Sequence, residues 1–210
     1  MKVKEVRVAS HLLIIGAGGH GKVVADAAEA AGWQSIEFVD ERWEQINLNN
    51  RWNVSGDLDA ALARSDGVIV AIGNNATRLK VVIDLKRRGA PLVNVIHPSA
   101  VVSSYVTMGV ANVLVAGAIL NIDVMLGDAC IINTAASIDH DCSLGDAVHV
   151  SPGAHLAGEA SVGDRTWIGI GAVVKECVSV GHDAIVGAGA AVIADVAADR
   201  VVIGVPATRV

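Results

Sequence analysis

From Ile96 to Val192 the chain carries an aliphatic residue at every sixth position, seventeen in succession with no insertion. No amphipathic helix and no alternating strand can satisfy a period of six, so the stretch is a structural repeat. A second rule runs in register: four residues after each aliphatic position sits a small or slender one, such as Ala100, Ala118, Cys130, Ala136, Cys142, Ala154, Thr166, Ala172, Ala184 and Ala190. Gly109, Gly127, Gly145, Gly163 and Gly181 follow aliphatic positions at intervals of 18 residues, which marks one coil of three hexapeptides. The expected shape is a triangular prism of short parallel strands, roughly 27 Å long at about 4.8 Å per coil.

The residues before the prism follow another logic. His11 to Ile15 reads as a strand ending in the glycine turn Gly16 to Lys22, and Val23 to Ala31 as a helix stopped by Gly32. Strands are expected at 35–40, 67–72 and 92–96, and helices at 57–64 and 77–88, with residues 41–55 as a loop that touches ligand. This alternation predicts a small Rossmann-like α/β unit with a parallel sheet. The chain then divides into residues 1–95 and 96–210, with a cap or edge strand expected at 201–210. The last two helices are expected to be capped by Ser55 or Asp57 and closed by Gly89.

Composition narrows the function. A formal net charge of −6 with no basic run excludes non-specific nucleic-acid binding. No apolar run is long enough to span a bilayer, and the charged start of the chain is unlike a secretory signal. Cys130, Cys142 and Cys177 lack metal-ligand spacing and read as reduced, buried thiols of a cytoplasmic protein.

Two constellations carry chemistry. Gly16, Gly18 and Gly21 fit a phosphate-binding turn between a strand and a helix, with Asp40 ending the next strand. Four strands are half a dinucleotide fold, so one nucleotide fits better than two; a ligand-free tight turn is the bland reading. His20 and Lys22 are polar where only small residues are required, and Asn74 and Asn75 end the third strand as ligand groups or as turn and cap formers. In the prism, His140 and Asp141 fall at positions that point away from its axis, where the fold demands no particular residue. An imidazole there suits a base that takes a proton from an attacking amine or hydroxyl, and a neighbouring carboxylate fixes its tautomer. Asn133, His149 and His155 lie near it in sequence.

The segments GAGGHGK, Asn133-Thr134, Ile138-Asp139-His140-Asp141-Cys142, His149-Val150-Ser151-Pro152-Gly153-Ala154, Trp167 to Ala172 and Gly204 to Ala207 together resemble the PglD/NeuD-like acetyltransferases, over residues 11–210. The resemblance implies a left-handed parallel β-helix and transfer of acetyl from acetyl-CoA to the amino group of a nucleotide-linked deoxy-aminosugar. It implies His140 as the catalytic base, with Asp141 in the place of an acidic residue that is often Glu. It places Gly18, Gly19, His20, Asp40 and Asn133 with the nucleotide sugar, and His149, Gly158, Ile170 and Ala188 with acetyl-CoA. His155 and His182 match nothing in the family pattern. The transfer is expected to be direct, without an acyl-enzyme, without a metal, and in a homotrimer whose sites lie between subunits. Three other readings stay open: O-acetylation of sialic acid or another sugar, a γ-carbonic anhydrase-like metalloenzyme using His140, His149 and His155, and a non-catalytic nucleotide-binding scaffold.

Overall fold

The computed structural model describes residues 11–210. The reading of the charged start as unlike a secretory signal therefore lies outside the described residues. The first unit is a five-stranded sheet, β3–β4–β2–β1–β5, built from β1 (His11–Ile15), β2 (Ser35–Val39), β3 (Leu48–Asn49), β4 (Trp52–Ser55) and β5 (Gly67–Val70). β1, β2, β4 and β5 are parallel and β3 is an antiparallel edge. Leu12 to Ile15 of β1 and all of β5 are apolar and buried, the near-continuous apolar pattern of strands in a parallel sheet covered on both faces.

Three boundaries differ from the sequence reading. α1 (Gly19–Ala30) begins four residues before Val23 and takes half of the glycine turn into its first turn. Gly21 must be glycine there, since a Cβ would stand 2.4 Å from the Gly16 carbonyl oxygen. Residues 41–55 hold the β3–β4 hairpin rather than a plain loop; Trp52 and Val54 alternate inward, and Asn50 turns the chain at φ 58°. The strand expected at 92–96 splits. Leu92 bridges Val68 of the first sheet, whereas β6 (Val95–Ile96) pairs with Val113–Leu114 of the prism.

α2 (Leu58–Arg64) is capped by Asp57, whose carboxylate accepts from the Ala60 N–H at 2.9 Å. α3 (Asn75–Arg87) is capped in the same way by Asn74. Among the described residues no helix is long and apolar enough to cross a membrane.

The prism follows the hexapeptide rule. Every sixth residue from Leu114 to Val192 is buried, and the slender positions between them are buried as well. Three flat faces of eight, six and five strands result, with successive strands of a face related by 18 residues except at the end of the eight-stranded face, where Val201–Ile203 follows Ile185–Val186 at 16 residues and Thr208–Arg209 caps it as an antiparallel edge. Removing a Leu, Ile or Val from water stabilises by about 1.5–3 kcal/mol per side chain, so the seam of inward residues supplies the prism's cohesion. The polar slender residues have a shared task. Cys130 Sγ, Cys142 Sγ and Thr166 Oγ1 donate to the carbonyls of Gly145, Ala157 and Gly181, at 3.1, 3.1 and 2.6 Å. Burial pushes the Cys130 thiol up to about 12, so it is inert at neutral pH. Cys177 departs from expectation, being exposed at a corner.

The corners set where function can sit. Three residues past each inward position from Met108 to Val186 the backbone enters the left-handed region, at Gly117, Gly153, Gly171 and Gly189 and otherwise at non-glycine residues such as Ala129, Asp141, Ala147, Arg165 and Cys177. Non-glycine residues tolerate that region unevenly, with Asp among the better, so Asp141 occupies a seat suited to its backbone as well as its charge. The first unit docks on the eight-stranded face, where Val95, Ala111, Val113, Ala129 and Ala147 join its core.

Candidate active site

His140 stands at the corner between the six- and five-stranded faces, with its side chain half exposed (50%). Its Nδ1 is 2.8 Å from Asp141 Oδ2, so the shorter acid does reach the imidazole. With the Nδ1 proton held by that carboxylate, Nε2 is the basic nitrogen. The Asp141 hydrogen bond raises the pKa of His140, helped by the charges of Asp139, Asp141 and Glu159 against some desolvation. Asp139 was not foreseen. Its carboxylate accepts from the His140 backbone N–H at 2.9 Å and from Asn121 Nδ2 at 2.8 Å, which anchors the His140 corner to the preceding coil.

Gly158 lies one coil further along the same corner, against the ring. A Cβ there would come within 2.6 Å of both Cε1 and Nε2 of His140. The missing side chain of Gly158 therefore makes room for the imidazole. Ile170 and Ala188 are exposed on a different edge, one coil apart and joined by the Gly189 N–H to Ile170 carbonyl bond of 2.8 Å. The structure thus brings Gly158, but neither Ile170 nor Ala188, to His140 within one chain.

His149 projects from the eight-stranded face. Asn133 Nδ2 is 3.1 Å from its Nε2, while Asn133 Oδ1 accepts from the Thr134 N–H at 2.8 Å. That second bond orients the amide, so Nε2 accepts and the imidazole proton resides on Nδ1. Trp167 stacks on the ring at 5.9 Å between centroids and 4° between planes, and is itself held by Ser151 Oγ at 2.7 Å. Burial, then the charge of Arg78, then His20, lower the His149 pKa to about 3. Asn133 and His149 therefore form one unit, and it is not on the His140 corner.

The glycine turn divides its labour. Gly16, at φ 105°, touches Ala71 and Ile72, and Gly21 closes the turn, whereas a Cβ on Gly18 or Gly19 would meet nothing within 4 Å. The open side of the turn is thus at Gly18 and Gly19, where first-turn N–H groups of α1 lack helical partners. Asn49 of the hairpin reaches the Gly18 carbonyl at 3.4 Å. Asp40 ties this turn to β2, accepting from the Ala17 N–H at 2.8 Å and from Arg42 at both oxygens. The Arg42 hydrogen bond holds its carboxyl down at about 2. His20 turns inward; burial first and Arg78 second lower its pKa to about 4, and its Nε2 is buried without a hydrogen-bond partner among the described residues. Lys22 stays exposed.

His140, His149 and His155 do not converge on one point. His155 is on the six-stranded face with Ser137 Oγ at 2.7 Å, apart from His140 at its corner and His149 on the eight-stranded face. Among the described residues one cluster, His182, Asp183 and Asp199, has ligand atoms close together, and there Arg165 already engages both oxygens of Asp183.

Residues 11–85 match the family model described as the PglD N-terminal domain. Over the whole chain the fold is similar to the acetyltransferase domain of PglB from Neisseria gonorrhoeae FA1090 in complex with acetyl coenzyme A, with 38% identity and a TM-score of 0.92 over 96% of this chain and 100% of that one. PerB from Caulobacter crescentus, solved with CoA and GDP-perosamine, is similar at 42% identity and a TM-score of 0.89 over 96% and 97% of the two chains. WeeI from Acinetobacter baumannii AYE shares 29% identity at a TM-score of 0.87, covering 96% of this chain and 100% of its own. With a glycine-turn α/β unit, a hexapeptide prism and a His–Asp pair at one of its corners, the chain belongs to the PglD/NeuD-like sugar acetyltransferase family.

Proposed function

We propose that this chain, with residues 1–95 as the nucleotide-sugar unit and 96–210 as the acetyl-donor unit, moves acetyl from acetyl-CoA to the amino group of a nucleotide-linked deoxy-aminosugar. The observation that carries the reading is the His140–Asp141 pair on an exposed edge, with Nδ1 committed to the carboxylate and Nε2 left as base. The sugar nitrogen attacks the thioester carbon and Nε2 of His140 takes its proton. The carbon–sulfur bond then breaks, and coenzyme A leaves as a thiolate that regains the proton. Backbone N–H groups of a coil, fixed by the ladder, are suited to the developing oxyanion. Gly18, Gly19 and Asn49 form the phosphate side of the sugar-nucleotide site, and the hairpin carrying Asn49 is where selectivity among nucleotides would arise.

Two members of the implied acetyl-CoA set, Ile170 and Ala188, stand on another edge of the prism from His140. Prisms packed side by side would bring those edges together. The six-stranded face exposes Val101, Ile119 and Val173, with Ile122 at its corner and Met125 on the five-stranded face beyond it, the apolar surface such an assembly would cover. A cyclic trimer with sites between subunits follows, in the cytoplasm where acetyl-CoA is made.

Acetyl-CoA turnover against a panel of UDP- and GDP-linked aminosugars, free aminosugars and sialic acid tests the reading, with sedimentation at micromolar concentration beside it. Transfer confined to nucleotide-linked amines by a trimer is the expected result. Turnover with hydroxyl acceptors alone, or a monomer that is fully active, would overturn the corresponding part.

The raised pKa of His140 has a direct kinetic sign. Only the neutral imidazole is a base, so the acid limb of the kcat/KM profile should lie above the ordinary imidazole value of about 6.5. Asp141→Asn removes the largest cause of the shift and should move that limb to lower pH. An unmoved limb would show that Asp141 does not set the basicity of His140.

A further inference from the structure

Arg78 on α3 is fully buried, and the acetyl-transfer chemistry described above makes no use of it. Each of its five N–H groups has an acceptor. Nε donates to the Ala129 carbonyl at 2.8 Å, Nη1 to Ile72 and Gly73 at 2.9 and 3.2 Å, and Nη2 to Asn75 Oδ1 and the Ala147 carbonyl at 2.8 and 2.9 Å. None of these acceptors is a carboxylate. Ala129 and Ala147 are corner residues of adjacent coils, both in the left-handed region, and Asn75 reaches the Arg165 carbonyl, the next corner, at 2.9 Å. Ile72 belongs to the loop after β5 that packs on Gly16 of the glycine turn. One guanidinium therefore joins the substrate-side loop to the prism two residues before His149.

We propose that Arg78 is a positioning residue for acetyl transfer: it locks the glycine-turn unit onto the prism and keeps His149 as the neutral imidazole that donates from Nδ1 toward the acetyl donor. The inference rests on the assignment of the prism face at His149 to acetyl-CoA. Geometry supplies the first half, through carbonyls from both units gathered on one side chain. The second half follows from burial of the imidazole first and, added to it, from a cation with only neutral acceptors bonded to the carbonyl two residues before it. The charged or titratable groups acting on His149 are Arg78 and His20, and both disfavour its protonation; Asn133 and Trp167, which contact it, are neutral. Burial lowers the pKa of Arg78 itself to about 10, which leaves it cationic at neutral pH. An imidazolium at position 149 would repel it and would also face the Asn133 Nδ2 donor with a second N–H.

Histidine-ring NMR of the 15N-labelled full chain without substrate, assigned with His149→Gln, reads the state directly. In the wild type His149 is expected as the Nδ1–H tautomer, uncharged down to about pH 5. In Arg78→Met its titration should shift toward the ordinary value of about 6.5, and the KM for acetyl-CoA should rise roughly 10- to 100-fold with a smaller change in kcat. Arg78→Lys, which keeps the charge with fewer donors, should restore the titration more fully than the melting temperature. An imidazolium or an Nε2–H tautomer in the wild type at pH 7 would overturn the proposal. So would an Arg78→Met protein that melts earlier with titration and KM unchanged. If Arg78→Met does not fold, the wild-type spectrum and Arg78→Lys decide. Because the spectra need no turnover, a failed acceptor panel with the expected titration would sink the functional reading and leave the electrostatic role of Arg78 standing.

Discussion

Replacing His140 by alanine should lower kcat with a nucleotide-linked aminosugar by about 10²- to 10⁴-fold, the usual contribution of a general base. The melting temperature and the KM for acetyl-CoA should stay near their wild-type values. The ring is half exposed and its side-chain hydrogen bond goes to Asp141, itself exposed, so truncation leaves no buried group unsatisfied. The two residues act as one unit, so His140→Ala combined with Asp141→Asn should be little worse than His140→Ala alone. Cys177 supplies the control for direct transfer. It is an exposed thiol on the same corner, where its N–H donates to the Gly158 carbonyl at 3.0 Å, so burial does not exclude it as burial excludes Cys130 and Cys142. Cys177→Ala is expected to remain within about twofold of wild type, whereas an acyl-enzyme route would lose most of its rate. His140→Ala retaining more than a tenth of the activity would remove the base from the scheme.

How far residues alone disclose this site depends on whether a position obeys a period. The prism was legible because its interior is a repeating steric condition: one bulky and one slender residue per hexapeptide, met at Leu114 and Ala118 as at Val186 and Ala190. The same period exposed His140 and Asp141, since any residue off the inward positions is free of the fold and calls for another reason. The α/β unit has no such redundancy. Its hairpin was signalled only by the short alternation of Trp52, Asn53, Val54 and Ser55, too brief to outweigh the surrounding Asn and Arg. The split at Leu92 and Val95 had no local signature, because which sheet a two-residue strand joins is settled by tertiary contact. Arg78 left a fainter trace. Its spacing from Val82 and Leu85 puts it on the buried stripe of α3, and a charge on such a stripe needs partners that the linear chain does not show. Those partners are backbone carbonyls of distant coils, which carry no residue code.

Gly158→Ala is the second large expected effect, and its sign separates room for the base from room for the ligand. Gly158 is outside the left-handed region, so alanine brings no backbone strain there. The added methyl would instead stand 2.6 Å from Cε1 and Nε2 of His140, closer than such atoms can approach. The imidazole has solvent on its far side and can swing away, which relieves the clash cheaply and takes Nε2 out of line with the attacking amine. Misplacing a reacting group by about 1 Å can cost roughly 100-fold, so kcat should fall by that order while the melting temperature moves little. A methyl that only narrowed the pantetheine path would raise the KM for acetyl-CoA and spare kcat at saturation. Steady-state kinetics with acetyl-CoA varied at saturating aminosugar distinguish the two. A second readout is the acid limb of kcat/KM. Rotation of the ring stretches the 2.8 Å bond to Asp141, which is the main cause of the raised pKa, so in Gly158→Ala the limb should move to lower pH along with the loss of kcat. An unchanged limb with unchanged kcat would mean that the corner yields to the methyl and the ring stays where it was.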